Sequence, residues 1–436
     1  MFDYLNKVVT VEKALESIKS DDNIIVGVGA AEGRLFLQNL HTIADRVRNV
    51  RVCTCLNMSD AEYISNPKYK NSFFSDAWFY TNTYRNAHSN GNISYVPNHL
   101  HLSVSGKITH RLPTVFLASA SMPDKHGYMS ILSNAYEKQL MAFCDRIILE
   151  INPNCPRTFG DNHIHISQVT HLIEADYKMP ILPDAPASEI DYKIADQIVP
   201  LIEDGSCIQL GIGGTPTAIA ERLQDKKDLG IHTEMFTSAM VPLIKSGVIN
   251  GMKKNLDIGQ HVTTFILGTQ ELYDFVNDNP SVQVRTGYNT INPRIIRHND
   301  KQVSVNAGLS VDLTGQVCSE SIGSRQFTGT GGQADTARGA LLSKGGKSFI
   351  AMRSTAMVKD KLTGEKKPIS RIVPQLAAGS AVSLQRNDVN YVVTEYGAVN
   401  LQGMNLQERC VALISIAHPD FKQQLIDEAK ELQIIF

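Results

Sequence analysis

The chain has 436 residues, 42% hydrophobic and 20% charged, a size that fits two or three domains with a full core. A net charge of −2 argues against nucleic acid or an anionic membrane as partner, since both call for a basic surface, and leaves a small molecule as the natural ligand. No apolar run approaches the roughly 20 residues that span a bilayer, and MFDYLNKVVT lacks a secretory pattern, so a cytoplasmic location is expected. The seven cysteines are scattered except for Cys53 and Cys55, whose spacing matches no zinc framework; they read as reduced core thiols.

In chain order, a short helix over Thr10 to Lys19 leads into SDDNIIVGVGAAEGRLFLQNL at 20–40, which reads as strand, glycine turn and amphipathic helix, the opening of an α/β unit. RVCTCLNM at 51–58 and RLPTVFLASASM at 111–122 read as buried strands, and AYEKQLMAFCDRIILEI at 135–151 as a helix feeding a strand. PILPDAP at 180–186 has three prolines and no periodicity, so the domains divide near 185, into 1–185 and 186–436. IADQIVPLI at 194–202 is a helix running into EDGSCIQLGIGGTPTAIAERL at 203–223, which repeats the construction of 20–40. That spacing suits a duplicated domain rather than a solenoid. VTTFILG at 262–268, QVSVNAGLSVD at 302–312 and SFIAM at 348–352 are strand-like, KDKLTGEKK at 359–367 reads as a solvated hairpin tip around Thr363 and Gly364, and two helices close the chain. Asn405 with Glu408 makes a capping box for the first of these, and Pro419 opens the second.

Three stretches have the residues for chemistry. GIGGTP at 211–216 follows a strand and opens a helix, so free backbone N–H groups and the helix dipole there can hold a phosphate. Glu234, about 20 positions on, stands where a dinucleotide fold keeps its ribose-binding acid, but Pro216 occupies the place of the third small residue. GTGGQAD at 329–335 lets the backbone approach a ligand, and its consecutive N–H groups suit an oxyanion hole; the alternative is a turn between two strands. DNHIHISQVTH at 161–171 offers His163, His165 and His171 without a completing thiol or carboxylate, so hydrogen-bonded histidines between domains are expected before a metal. Walker and nucleophile-elbow sequences do not occur. On residues alone, Glu234 stays open as nucleophile, ribose clamp or surface charge.

Taken in order, SMPDKHGYMS (121–130), NPNCPRTFGDNHIHIS (152–167), GIGGTPTAIAERL, GIHTEMF, GQVCSESIG (315–323), FTGTGGQAD, SRIVP (370–374) and VTEYGAVNLQGMNLQERCVALISIAHPDF (393–421) resemble the acetyl-CoA hydrolase/transferase family, closest to its 4-hydroxybutyrate and butyrate CoA-transferases. The resemblance implies two related, open, mostly parallel α/β domains of the CoA-transferase, NagB-like type, with the active site in the interdomain cleft. It implies Glu234 as nucleophile, Gly331 and Gly332 beside the thioester, and Gly211, Ile212, Gly213, Gly214 and Thr215 as contacts to coenzyme A. Leu309 and Met352 match family positions that touch coenzyme A but vary in type. TSAM follows Glu234 where relatives often carry S-D-G, which leaves acyl specificity open, and KDKLTGEKK is slightly longer than usual. Glu320 and Glu395 are rival carboxylates, expected to be structural, although Glu320 is a candidate to line the same cleft.

The expected reaction moves CoA between a short-chain acyl-CoA and a carboxylate, 4-hydroxybutyrate or butyrate with acetate, by ping-pong catalysis through a glutamyl–CoA thioester. Acyl-CoA hydrolysis at the same site is the first alternative, a nicotinamide-dependent dehydrogenase the second and a non-catalytic CoA-binding module the third. CoA enters as substrate; no metal and no NAD are expected, and a homodimer or higher homo-oligomer is.

Overall fold

The computed structural model describes residues 4–359 and 364–436. Strands β1 (Asn23–Val26), β2 (Val50–Thr54), β3 (Phe73–Ala77), β4 (Ile93–Tyr95), β5 (Val115–Ala120), β6 (Arg146–Ile151) and β7 (His171–Glu174) form one sheet in the order β7-β6-β5-β1-β2-β3-β4. All its pairings are parallel. A parallel sheet is covered on both faces, and β1 and β5 are accordingly buried at every residue. Each fully buried Ile, Leu or Val there contributes roughly 1.5–3 kcal/mol.

A second sheet holds β8 (Cys207–Leu210), β9 (Gly230–Ile231), β10 (Gln302–Ala307), β11 (Lys347–Ala351), β12 (Tyr391–Thr394) and β13 (Gly397–Asn400), in the order β9-β8-β10-β11-β12-β13. Its pairings are parallel up to β12, and β13 closes the edge antiparallel. The molecule is thus a mixed α/β protein with mostly parallel sheets. Both echoed segments fold alike: β1 runs through a glycine turn into helix α1 (Arg34–Asn39), and β8 through another into α3 (Gly214–Arg222). Between them, α2 (Glu189–Ile198) starts at a capping box in which Ser188 and Asp191 satisfy each other's backbone N–H. The later helices are α4 (Gln333–Leu342), α5 (Leu406–Ser415) and α6 (Pro419–Glu431); Asn405 and Glu408 make the expected capping box, and Pro419 stands at the start of α6.

Two expected strands are broken. Residues 262–268 split into His261–Thr263 and Phe265–Ile266, in separate small sheets, because the Thr264 N–H between them donates to the Glu234 carbonyl instead of to a ladder. Residues 302–312 split at Gly308, where a Cβ would come within 2.9 Å of the Ile350 side chain; Ser310–Asp312 then joins another sheet. The charged segment is flanked by antiparallel strands, Thr355–Lys359 and Lys366–Ser370, as a hairpin requires. Gly364 follows with φ +75°, while Thr363 lies outside the described residues.

Candidate active site

Residues just past the carboxyl ends of strands in both sheets line one cavity of about 550 Å³, the place where open α/β sheets bind ligands. From the second sheet come Gly211 after β8, Glu234 beyond β9, Gly308 after β10 and Met352 after β11; from the first come Cys55 and Leu56 after β2, and Phe79 beyond β3. Leu56 has φ +59°, a left-handed conformation rare for a branched side chain and met most often at functional sites.

Glu234 is fixed through its backbone. Its carbonyl oxygen accepts from the Thr264 and Phe265 N–H groups at 3.0 and 3.2 Å and from the Thr263 and Thr264 hydroxyls at 3.0 and 2.5 Å. The side chain, half-buried in the cavity wall, accepts from the Gly332 N–H at 3.0 Å. Burial, reinforced by the negative charge of Asp335, raises its pKa to about 7 against the opposing Gly332 hydrogen bond. The carboxylate is therefore more basic, and a stronger nucleophile, than an exposed one. Gly331 and Gly332 permit this approach. Gly331 has φ +54°, and a Cβ on Gly332 would lie 2.4 Å from Glu234 Oε2. Their loop opens α4 and does not join two strands.

The second glycine turn lines the same cavity with Gly211, Ile212, Gly213, Gly214 and Thr215. Gly213 has φ +116°, and the first turn of α3, which lines the cavity, has no side-chain cap, so its amides are not paired by a capping side chain. Asp191 lies against this turn: it accepts from Thr215 Oγ1 at 2.7 Å and from Arg353 at 2.8 Å. Arg371 adds a second guanidinium to the lining; burial and then the nearby Arg353 lower its pKa.

Met352 lines the cavity, whereas Leu309 does not; its N–H pairs with Cys318 O beside the lining residue Gly308. The rival carboxylates are occupied elsewhere. Glu320, 6% exposed and outside the lining, accepts from Tyr95, Thr330 and Ser383, and Glu395 holds both the N–H and the hydroxyl of Ser354. The histidines of 161–171 do not converge. His165 caps a short helix through Ser167, and His163 faces Gly160 O. Among the described residues, one group of three has metal-ligand types close together: His99, His101 and Asp335. The seven cysteines are free, and six of them are the expected core thiols, Cys144 being only half-buried. Cys55, Phe79, Phe265 and the two arginines were beyond sequence reasoning. Arg371 stood within SRIVP, but nothing in that block distinguishes a cavity arginine from a surface one.

The acetyl-CoA hydrolase/transferase N-terminal domain model matches residues 2–183, and the C-terminal domain model of the same family matches 268–429. The chain belongs to this family. Like other members, it is an enzyme of the CoA-transferase type. It is 40% identical over 430 residues to the 4-hydroxybutyrate coenzyme A transferase of Clostridium kluyveri, covering 98% of each chain. Among solved structures, RipA of Yersinia pestis superposes with a TM-score of 0.91 at 35% identity, covering 99% of both chains. The 4-hydroxybutyrate CoA-transferase of Porphyromonas gingivalis, also of this fold, superposes with a TM-score of 0.81 at 34% identity over 98% of both. No helix among the described residues is long and apolar enough to cross a membrane.

Proposed function

We propose that the protein transfers CoA between a short-chain acyl-CoA and a free carboxylate, 4-hydroxybutyrate or butyrate with acetate, through Glu234. The observation that carries the reading is the Glu234 carboxylate, raised to about 7 and held 3.0 Å from the Gly332 N–H in a cavity shared by both halves. A Glu234 oxygen attacks the thioester carbon; the C–S bond breaks, CoA thiolate departs, and an acyl–glutamyl anhydride remains. The thiolate then attacks the glutamyl carbon, releasing the first carboxylate and leaving a glutamyl–CoA thioester. In that second step the developing oxyanion is the Glu234 oxygen that Gly332 already faces, so the donor is in place before charge builds up. An incoming carboxylate displaces CoA from the thioester, and the returning thiolate takes the new acyl group. One thioester replaces another, so ATP is not consumed. The uncapped turn at 211–215 with Arg353 and Arg371 is suited to the anionic part of CoA, whose binding can supply stabilisation remote from the reacting atoms.

The same reading divides the chain near residue 185, supported by a first sheet whose strands end at Glu174 and a second whose strands begin at Cys207. It also includes a homo-oligomer, which light scattering on the purified protein checks.

Incubation with butyryl-CoA should give a covalent CoA adduct at Glu234 by peptide mass, and Glu234→Ala should lower transfer by at least ~10³-fold. Absence of the adduct together with surviving activity in the alanine variant sinks the proposal. Thiol release at equal rates with and without acetate would assign hydrolysis instead.

A further inference from the structure

Asp335 has a charge that the steps above do not use. It sits in the first turn of α4, 1% exposed, three residues beyond the Gly332 amide that donates to Glu234. Two histidines from the first half of the chain converge on it. His99 Nδ1 lies 2.8 Å and His101 Nδ1 2.9 Å from the same oxygen, Oδ1, and the His101 backbone N–H donates to Oδ2 at 3.1 Å. Burial pushes the Asp335 pKa up, but the two imidazoles and the His101 backbone N–H outweigh it, and the carboxylate titrates below its ordinary range; of the two rings, His99 makes a hydrogen bond, and His101 Nδ1 stands at ion-pair distance without one. Reciprocally, the hydrogen bond to Asp335 raises the pKa of His99.

We infer that His99, His101 and Asp335 form a clamp between the two halves that positions the catalytic loop: the histidines fix Asp335, and Asp335 fixes the first turn of α4, which sets the Gly332 N–H on Glu234. Asp335 is a positioning residue, since it acts on the reacting carboxylate through Gly332 and through space. The inference rests on Glu234 being the nucleophile. A divalent cation would also suit these side-chain types, but the geometry points to a clamp. The His99 ring nitrogen is aimed at the carboxylate oxygen itself, in a hydrogen bond, where a ligand would aim at the ion. Arg338, paired with Asp388 at 2.6 Å, adds positive charge beside His99 and Asp335.

The charged and titratable groups around Asp335 are thus His99, His101, Arg338 with its partner Asp388, and Glu234. Around Glu234 they are Asp335 and Cys55, whose thiol burial keeps protonated. A purely structural Asp335 would alter folding; a clamp also moves the pH dependence of the reaction.

The test uses the full chain and compares Asp335→Asn, a His99→Ala/His101→Ala pair and a His99→Asn/His101→Asn pair with Glu234→Ala, from about pH 5.5 to 9. Asp335→Asn should lower kcat about tenfold with little change in KM for butyryl-CoA. Loss of its charge should also move the acid limb of kcat/KM down by on the order of half a pH unit. The double alanine variant should lose a similar factor. The double asparagine variant should recover most of it, because a side-chain amide can donate to Asp335 where the His99 imidazole does. His99 is half-exposed, so His99→Ala alone keeps the test open if the others fail to fold; a drop of about threefold in kcat is expected. Folded variants with unchanged kcat and an unmoved acid limb overturn the clamp. So does a stoichiometric divalent metal in the purified protein that the double alanine variant loses. If Glu234→Ala stays active, the nucleophile reading has failed; if it is dead while Asp335→Asn is normal, the clamp alone has.

Discussion

The two glycine turns that echo each other in the sequence have opposite fates. The first is packed solid: a Cβ on Gly27 would lie 2.6 Å from Ala31 O, and one on Gly33 2.7 Å from the Leu117 side chain. Its polar groups are satisfied from within. Glu32, 1% exposed, accepts from Asn57, Met58 N–H and Ser59, and the Val28 N–H goes to the buried Glu137. Burial raises the pKa of both acids. At the second turn a Cβ on Gly213 would meet nothing within 4 Å, and Ile212 is 49% exposed. One construction serves two purposes. At the first turn a protein carboxylate takes a backbone N–H and the turn is architecture; at the second, Asp191 takes the Thr215 hydroxyl and Arg353 and no amide of the turn, which leaves those amides for a ligand's anionic groups.

This contrast can be broken by substitution. The largest effect is expected at Gly332→Ala. Its methyl would drive the Glu234 carboxylate aside, which the fold tolerates because a side-chain end can swing away; kcat should fall about 100-fold with the melting temperature nearly unchanged. Glu32→Ala should instead act on stability, by about 2.5 kcal/mol in urea unfolding, since two buried donors and one half-buried one lose their acceptor. Wild-type stability there would mean that the closed turn is held by packing alone. For Glu234→Gln the sign follows from its raised pKa. The folded state binds the proton more tightly than the unfolded, so ionised Glu234 weakens the fold progressively as pH rises from about 4.5 to about 7. The glutamine variant should therefore be more stable than wild type by about 2 kcal/mol at pH 8, with the gap closing by pH 4. The smallest effect is at Gly213→Ala. With open space but φ +116°, it should distort the turn and raise KM for acyl-CoA about tenfold while kcat holds. A KM effect at Glu32 and a purely structural one at Gly213 would reverse the comparison.

The sequence made much of this legible, because buried parallel strands and the glycine turns after them are local patterns. The strands around Ile24, Leu117, Ile208 and Phe349, the helix cap at Asn405 and the two echoed strand–turn–helix units follow from short-range chemistry, whereas the helix expected over 194–202 begins earlier, at Glu189, behind the unread cap Ser188. The glycine patterns at 211–216 and 329–335 and the acid Glu234 stand out on their residues, their roles come only from the resemblance, and all three stretches line one cavity. The break at Thr264 could not be read, because a run of β-branched residues gives no sign that one N–H serves a distant carbonyl. Nor could the meeting of His99 and His101 with Asp335, 236 and 234 residues away, which exists only once the halves pack. The histidines that did stand out, His163 and His165, drew attention by mere proximity in sequence.

Four donors converge on the Glu234 carbonyl. Its main chain is consequently a fixed pivot, and its carboxyl group can move only by turning about its own side-chain bonds. In the reaction proposed above, anhydride and thioester would then form within one small arc, so that between the half-reactions the acyl group and the pantetheine arm would travel, and the choice among carboxylates would be made by how each reaches that arc.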